Sequence, residues 1–365
     1  MKKRVAVLGA TGSIGKSTLD ILREEKERFT PVLLTANKNA DELKKLKEEF
    51  PCAAIALGKE DSLRAITATP IDITVNGISG AAGLEPSLEV IRTGSDLALA
   101  NKETIVMAGP LVLAEVKKRN VKIIPVDSEH SAIWKLIEGH GRENVSEIIL
   151  TASGGPLIDF TPEELETVTV SQALAHPTWK MGPKITIDSA TMANKGLEVI
   201  EAALLFNIPQ EKIKVTVHRQ SIVHSMIRLK NGAVYAQMSK PDMKLPIHDA
   251  LTFPDTTCSS YGQLDFDSLS LTFEKPDFNR FPMLNLAYKA LEGGLLMPTV
   301  YNAGNEAAVD AFLEGRISFL EIPALVGYVL EKSNNLTQVL DLESIQAADR
   351  KARELANDFI KTRSI

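Results

Sequence analysis

A chain of 365 residues, 44% hydrophobic and 24% charged, has the composition of an ordinary globular protein with room for two or three domains. Its 47 acidic residues outnumber 41 basic ones, for a formal net charge of −6, which argues against a nucleic-acid-binding role. No apolar run approaches the roughly 18 residues of a membrane span. Cys52 and Cys258 form no CxxC motif and read as reduced thiols of a cytoplasmic protein.

The first apolar run, Val5–Leu8, is too short for a secretory signal and leads directly into Gly9-Ala10-Thr11-Gly12-Ser13-Ile14-Gly15. A buried strand, a glycine turn and a helix in that order make a dinucleotide-binding entrance, with the helix-start amides facing a pyrophosphate. Gly15-Lys16-Ser17 ends like a nucleoside triphosphate loop, but Ala10 stands where that motif needs glycine. The next strand, Pro31–Thr35, is followed by Ala36-Asn37-Lys38-Asn39. An NAD site usually places a carboxylate there. Its absence, with Lys38 at hand, favours NADP(H), while Asn39 doubles as a helix cap for 40–49. Further apolar runs at Ala53–Leu57, Ile73–Val75, Leu97–Leu99 and Val121–Val126 alternate with amphipathic stretches. That alternation predicts a parallel sheet with helices on both faces, and a ligand loop at Gly77–Gly83.

Beyond Val126 the pattern changes. Asp127-Ser128-Glu129 closes the last strand of the first region, and its acids sit where ligands gather, although Asp and Ser also cap helices. A strand at Val145–Leu150 precedes an irregular stretch from Gly154 to Pro183 that carries His176, Trp179 and Met181. Apolar side chains in such a loop either pack on the protein body or close over substrate and exclude water. Ile185–Ile187 reads as a strand and 189–206 as a helix with Asn194, Glu198 and Glu201 on one face. A third acid from that face, converging with Asp127 and Glu129, would make three carboxylates that suit Mg²⁺ or Mn²⁺. Ser153, Ser189, Asn194 and Lys195 could hold a phosphate. Strands at Ile213–Val217, Ser221–Leu229 and Val234–Met238, with a turn at Asn231-Gly232, predict antiparallel pairing. Residues 251–280 read as a linker, and the helical periodicity after it, capped at Asp341, predicts a small bundle.

Several segments together resemble the 1-deoxy-D-xylulose 5-phosphate reductoisomerase family over essentially the whole chain. They are the glycine turn at 9–15, Ala-Asn-Lys-Asn at 36–39, Ala-Asn-Lys-Glu at 100–103, Pro-Val-Asp-Ser-Glu-His at 125–130 and Thr-Ala-Ser-Gly-Gly-Pro at 151–156. His-Pro-Thr-Trp-Lys-Met-Gly at 176–182, Asp-Ser-Ala-Thr-Met-Ala-Asn-Lys-Gly-Leu-Glu at 188–198, Gln-Ser-Ile-Val-His-Ser at 220–225 and Lys-Pro-Asp-Met-Lys-Leu-Pro-Ile at 240–247 follow. Asn37, Arg219 and Lys244 depart from the family pattern, where Gly, Pro and Arg are usual.

The resemblance implies an NADPH- and metal-dependent enzyme that rearranges and reduces 1-deoxy-D-xylulose 5-phosphate to 2-C-methyl-D-erythritol 4-phosphate on the methylerythritol phosphate route to isoprenoids. Carried over by position, it implies a metal at Asp127, Glu129 and Glu198. It implies a substrate phosphate at Ser153, His176, Ser189, Asn194 and Lys195, with Lys102 and Ser128 at the substrate oxygens. Gly9, Thr11, Gly12, Ser13 and Ile14 would bind the pyrophosphate, and Lys38 and Asn39 the 2′-phosphate. Asn101, Glu103, Met181 and Gly182 would lie on the nicotinamide side. Trp179 and Met181 would form a lid. The expected architecture is α/β: a Rossmann-like NADPH-binding domain at 1–126, an α+β catalytic domain at 127–250 with the lid at about 153–183, a linker at 251–280 and a helical bundle at 281–365. A cytoplasmic homodimer with no nucleic-acid or membrane partner completes the expectation. A dinucleotide sensor would need neither the acids nor the lid, and a phosphotransferase using Lys16 would bind ATP instead.

Overall fold

The computed structural model describes residues 2–179, 181–336 and 339–363; Lys180, inside the expected lid, lies outside them. In chain order the elements begin β1 Lys3–Leu8, α1 Ser13–Glu24, β2 Phe29–Ala36, α2 Ala40–Glu49, β3 Ala54–Leu57, α3 Lys59–Ala68 and β4 Ile73–Asn76. Then come α4 Leu84–Arg92, β5 Asp96–Leu99, α5 Lys102–Arg119, β6 Ile123–Pro125, α6 Ser128–His140, β7 Val145–Ala152, α7 Pro162–Leu165 and α8 Val170–Ala173. The second half holds α9 Pro183–Ala190, α10 Ala193–Leu205, β8 Ile213–Val217, β9 Val223–Leu229, β10 Val234–Met238 and α11 Lys244–Thr252. It ends with α12 Met283–Glu292, α13 Met297–Leu313, α14 Glu321–Lys332 and α15 Leu342–Arg363.

The chain folds as two compact units. The first comprises residues 1–104, 111–134 and 242–264. Its sheet has the order β3-β2-β1-β4-β5-β6, all parallel, which is the doubly wound arrangement that reverses direction beside β1. Val5, Val7, Leu8, Leu33, Leu34, Val75 and Leu97 are buried, because helices cover both faces of the inner strands, while the edge strand β3 leaves Ile55 and Leu57 exposed. Pro31 lacks the N–H a ladder needs, and the β1–β2 register shifts after Val5 pairs with it. Helix α11 packs on α1, and Ile247, Ala250 and Leu251 join the core of this unit.

The second unit comprises residues 105–110, 135–241 and 265–365. Its sheet runs β10-β9-β7-β8. Strand β9 is antiparallel to β10 and β7, but β7 and β8 are parallel, so the sheet is mixed rather than purely antiparallel. Helices α12–α15 pack as a bundle whose core includes Met283, Val300, Tyr301, Val326 and Ile345. Asp341 accepts from Ser344 N at 2.8 Å, the cap expected from sequence. The stretch expected as a linker is shared: 251–264 belongs to the first unit and 265–280 to the second.

Ile185–Ile187 is not a strand. It lies inside α9, which starts at Gly182-Pro183 and is braced by a Lys184–Asp188 ion pair of 2.8 Å one turn apart. Three consecutive β-branched residues favour a strand, but proline at the first helical position and burial of Thr186, Ile187 and Asp188 against the bundle decide for helix. The helix expected over 189–206 is correspondingly two, broken where Met192 takes φ +63.

Candidate active site

In the first unit, the glycine turn joins β1 to α1. A Cβ on Gly15 would lie 2.4 Å from Gly9 O, so only glycine lets the helix start fold back on the turn. No side chain caps α1 at Gly12, which leaves its first amides as donors for an anion, with Gly12 and Ser13 exposed and Thr11 and Ile14 half-buried. Beyond β2, Lys38 is exposed and Asn39 caps α2, accepting from Glu42 N at 3.1 Å. Residues 36–39 contain no acid.

Strands β5 and β6 are neighbours, so Lys102 and Asp127, which follow them, emerge side by side at the same sheet edge. Lys102 Nζ lies 2.5 Å from Asp127 Oδ2, and Lys102 is only 5% exposed. Burial alone would raise the Asp127 carboxyl. The Lys102 ammonium and His130, 3.7 Å away, outweigh it and hold the carboxyl well below the usual carboxylate range. Ser128 donates to Glu129 at 2.5 Å. Asn101 caps α5 through Thr104 N and donates to Gly80 O at 2.9 Å and to Glu103 at 2.8 Å, tying the loop after β4 to the start of α5. Two residues here escaped the sequence reading. Asn76 holds that loop by donating to Gly83 O and accepting from Ile78 N, and His130 supports Asp127. A lone polar residue ending an apolar strand, and a histidine one helical turn past an acid, were the available signals.

In the second unit, Ser153 follows β7. Its hydroxyl lies 3.1 Å from His176 Nε2 and accepts from Gly155 N at 3.3 Å. His176 Nδ1 accepts from the backbone N–H groups of Thr178 and Trp179, so Nε2 carries the proton and donates to Ser153. Burial lowers the His176 pKa and keeps the ring neutral. Gly155 has φ +73, and a Cβ there would meet Ser189 O at 2.4 Å; that close approach brings the loop after β7 against the end of α9. On α10, Glu198 is 1% exposed and Lys195 4%. Glu198 accepts from Asn194 at 2.6 Å and from the Lys195 ammonium. Trp179 and Met181 are half-buried and Gly182 exposed. Thus Ser153, His176 and Ser189 cluster, as do Asn194, Lys195 and Glu198. Asp127 and Glu129 belong to the first unit and Glu198 to the second.

A doubly wound sheet with a glycine turn at its reversal point, joined to a unit rich in buried anion-binding donors and carboxylates, defines a dinucleotide-dependent oxidoreductase. Comparison with known proteins narrows the class. Family profiles described as 1-deoxy-D-xylulose 5-phosphate reductoisomerase match residues 5–70 and 53–109, and those of its C-terminal domains match 123–206 and 238–355. The reductoisomerase of Geotalea uraniireducens is 48% identical, covering 98% of both chains, and that of Trichlorobacter lovleyi 47%, covering 99% of this chain and 98% of that one. The solved reductoisomerase of Zymomonas mobilis in complex with NADPH aligns with a TM-score of 0.91 at 39% identity, over 99% of this chain and all of that one. A reductoisomerase in complex with NADPH, fosmidomycin and magnesium aligns with 0.92 at 36%, over 98% of each. The chain belongs to the 1-deoxy-D-xylulose 5-phosphate reductoisomerase family.

Proposed function

We propose that the protein converts 1-deoxy-D-xylulose 5-phosphate to 2-C-methyl-D-erythritol 4-phosphate, using NADPH and Mg²⁺ or Mn²⁺. The observation that carries this reading is kinship over nearly the whole chain to reductoisomerases 47–48% identical to it, with solved relatives in complex with NADPH and with magnesium. NADPH oxidation that depends on this substrate and on the metal tests it; oxidation without either contradicts it.

The donors fit the two absent groups. Gly9, Thr11, Gly12, Ser13 and Ile14 form a turn that glycine keeps open for a pyrophosphate, with Lys38 and Asn39 toward the 2′-phosphate. Asn101, Glu103, Met181 and Gly182 are assigned to the nicotinamide, which supplies hydride. Asp127, Glu129 and Glu198 offer only carboxylate oxygens, the donor set of a hard cation. Asp127 is held anionic by its surroundings. When bound there, the cation acts as a Lewis acid on the substrate carbonyl.

The remaining steps belong to the chain. His176, as a neutral donor, and the hydroxyls of Ser153 and Ser189 bind phosphate oxygens, with Asn194 and the Lys195 ammonium supplying further hydrogen bonds and charge. Lys102 and Ser128 orient the sugar's oxygens. Trp179 and Met181 exclude water from the hydride path.

Lys38→Ala should raise the KM for NADPH roughly tenfold, as loss of about 1.5 kcal/mol of charge-assisted contact requires, and leave NADH use unchanged. Steady-state kinetics with each nucleotide check this; equal effects on both would refute the 2′-phosphate contact. For the lid, a phosphonate hydroxamate inhibitor should protect residues 176–183 from protease and change Trp179 emission in a Trp134→Phe background. Unchanged cleavage and emission would make the segment fixed structure. Finally, we place the protein in the cytoplasm as a homodimer. Strand β10 lies at a sheet edge with Val234 and Tyr235 exposed, an open template for pairing with a second copy. Both cysteines are free thiols, and no helix among the described residues is long and apolar enough to cross a membrane. Sedimentation equilibrium should return twice the chain mass; a monomer mass would contradict it.

A further inference from the structure

Asp188, the residue before Ser189 on α9, is 1% exposed, while Ser189 itself is half-buried. A carboxylate so far from water must be paired, because burial alone favours its neutral form. One partner is local. The Lys184 ammonium, one turn back on α9, lies at 2.8 Å. Another comes from far along the chain: Asn305 Nδ2 on α13 donates to Asp188 Oδ1 at 2.7 Å. Asn305 is fully buried, and its Oδ1 has no hydrogen-bond partner among the described residues. A leucine would fill that space in the bundle without leaving a desolvated carbonyl. What the amide adds is its hold on Asp188.

The same stretch of α13 bears on α10. Tyr301, one turn before Asn305, is fully buried, and a Cβ on Gly196 would lie 2.5 Å from its hydroxyl, so glycine lets α10 seat against the ring. The Tyr301 hydroxyl donates to Met283 O at 3.2 Å. Burial, with the Asp188 carboxylate nearby, pushes this phenol well above its usual range. Gly196 follows Lys195 directly, and Asp188 directly precedes Ser189. One turn of α13 therefore touches a residue adjacent to a phosphate-assigned side chain on each of two helices. Between those helices the chain turns at Met192, with the Thr191 hydroxyl donating to Ile187 O at 3.1 Å and accepting from Ala193 N at 3.3 Å. The junction is short, so the spacing of Ser189 and Lys195 follows from where α13 holds α9 and α10.

We propose that Asn305 is a positioning residue for the substrate's phosphate: through Asp188 it fixes α9, and with it the Ser189 hydroxyl, without itself touching the phosphosugar. The assignment rests on the phosphosugar reading above. It gives the helical bundle, which carries none of the residues assigned to substrate, metal or nucleotide, a part in substrate binding.

The test uses the full-length protein with NADPH, Mg²⁺ and 1-deoxy-D-xylulose 5-phosphate. Asn305→Leu keeps the volume and removes the donor. It should raise the substrate KM about fivefold and leave the KM for NADPH at its wild-type value, because the nucleotide is assigned mainly to the other unit. Asn305→Asp sets two carboxylates against each other and should raise the substrate KM further, by about tenfold or more. Adding Asp188→Asn to Asn305→Asp restores an amide–carboxylate pair with the roles exchanged, and should bring the substrate KM back toward wild type. The exchange separates positioning from bulk stability, since melting temperatures are recorded for every variant. A wild-type substrate KM in both Asn305→Leu and Asn305→Asp, whatever their melting temperatures, overturns the assignment. So does an exchanged pair whose KM stays at the Asn305→Asp level while its melting temperature recovers. A wild-type protein that leaves NADPH unoxidised refutes the underlying reading, and this assignment with it.

Discussion

Glu198→Gln should remove most turnover, by about a hundredfold or more, while NADPH still binds. The glutamine fills the same volume, and its carbonyl can still accept from Asn194 or Lys195, so α10 keeps its place. The charge does not survive. A cation assigned to three carboxylates would lose one anionic ligand, and roughly 3 kcal/mol less stabilisation of developing negative charge corresponds to about two orders of magnitude in rate. Lys195 loses its counter-charge as well, so the melting temperature should fall. Glu198→Asp separates the two consequences: it keeps the charge at shorter reach and should retain more activity and more added-metal response. Stopped assays and metal titrations of both variants check this. Wild-type turnover in Glu198→Gln would exclude the residue from the metal site.

Lys102→Met should be the most destabilising substitution in the first unit. Lys102 and Asp127 are both nearly buried and 2.5 Å apart. Breaking such a pair by removing one partner costs about 3–5 kcal/mol, because the other charge remains desolvated. The pH dependence distinguishes this cause from lost packing. In the wild type the folded state lowers the Asp127 pKa, so the carboxylate adds stability above the unfolded value that is lost as pH falls through the carboxylate range. In Lys102→Met the ammonium that lowers the carboxyl is gone, so its pKa rises towards or above the unfolded value and less stability is lost on acidification. The melting-temperature gap between the two proteins, measured in chelator, should therefore narrow as pH falls. A constant gap would assign the loss to packing. Turnover should fall with stability, since Lys102 is also assigned to the substrate's oxygens.

The parallel sheet of the first unit was legible because its inner strands are buried on both faces, whereas the return of 242–264 to this unit was not. Val5–Leu8, Ile73–Val75 and Leu97–Leu99 are continuous apolar runs, and such runs have few other uses in a soluble chain. The glycine turn was legible because Gly15 answers a steric demand that no other residue meets. What failed was decided at a distance. Ile185-Thr186-Ile187 has strand propensity, but its helix is fixed by the cap before it and by the bundle it packs on, including a bond of 2.7 Å from Asn305 to Asp188. The mixed sheet was missed because the β7–β8 pairing joins segments some sixty residues apart, and no local turn signals it. The candidate site shows the same division. Residue types and order marked Asp127, Glu129, Glu198 and Ser153. That Lys102 sets the state of Asp127, and that His176 pairs with Ser153, is seen only in the fold. Asn76 and His130 act on backbone or on another side chain, so their signals in sequence, a polar residue ending an apolar strand and a histidine one turn past an acid, are weak.

The most direct test of the account is the near-ultraviolet absorbance of NADPH mixed with the metal-stripped protein and 1-deoxy-D-xylulose 5-phosphate, followed by addition of Mg²⁺ or Mn²⁺. The account predicts a steady absorbance until the metal is added, then a decay whose extent matches the substrate supplied, with 2-C-methyl-D-erythritol 4-phosphate as product. Decay in strong chelator, decay without the phosphosugar, or no decay with all components present would contradict it.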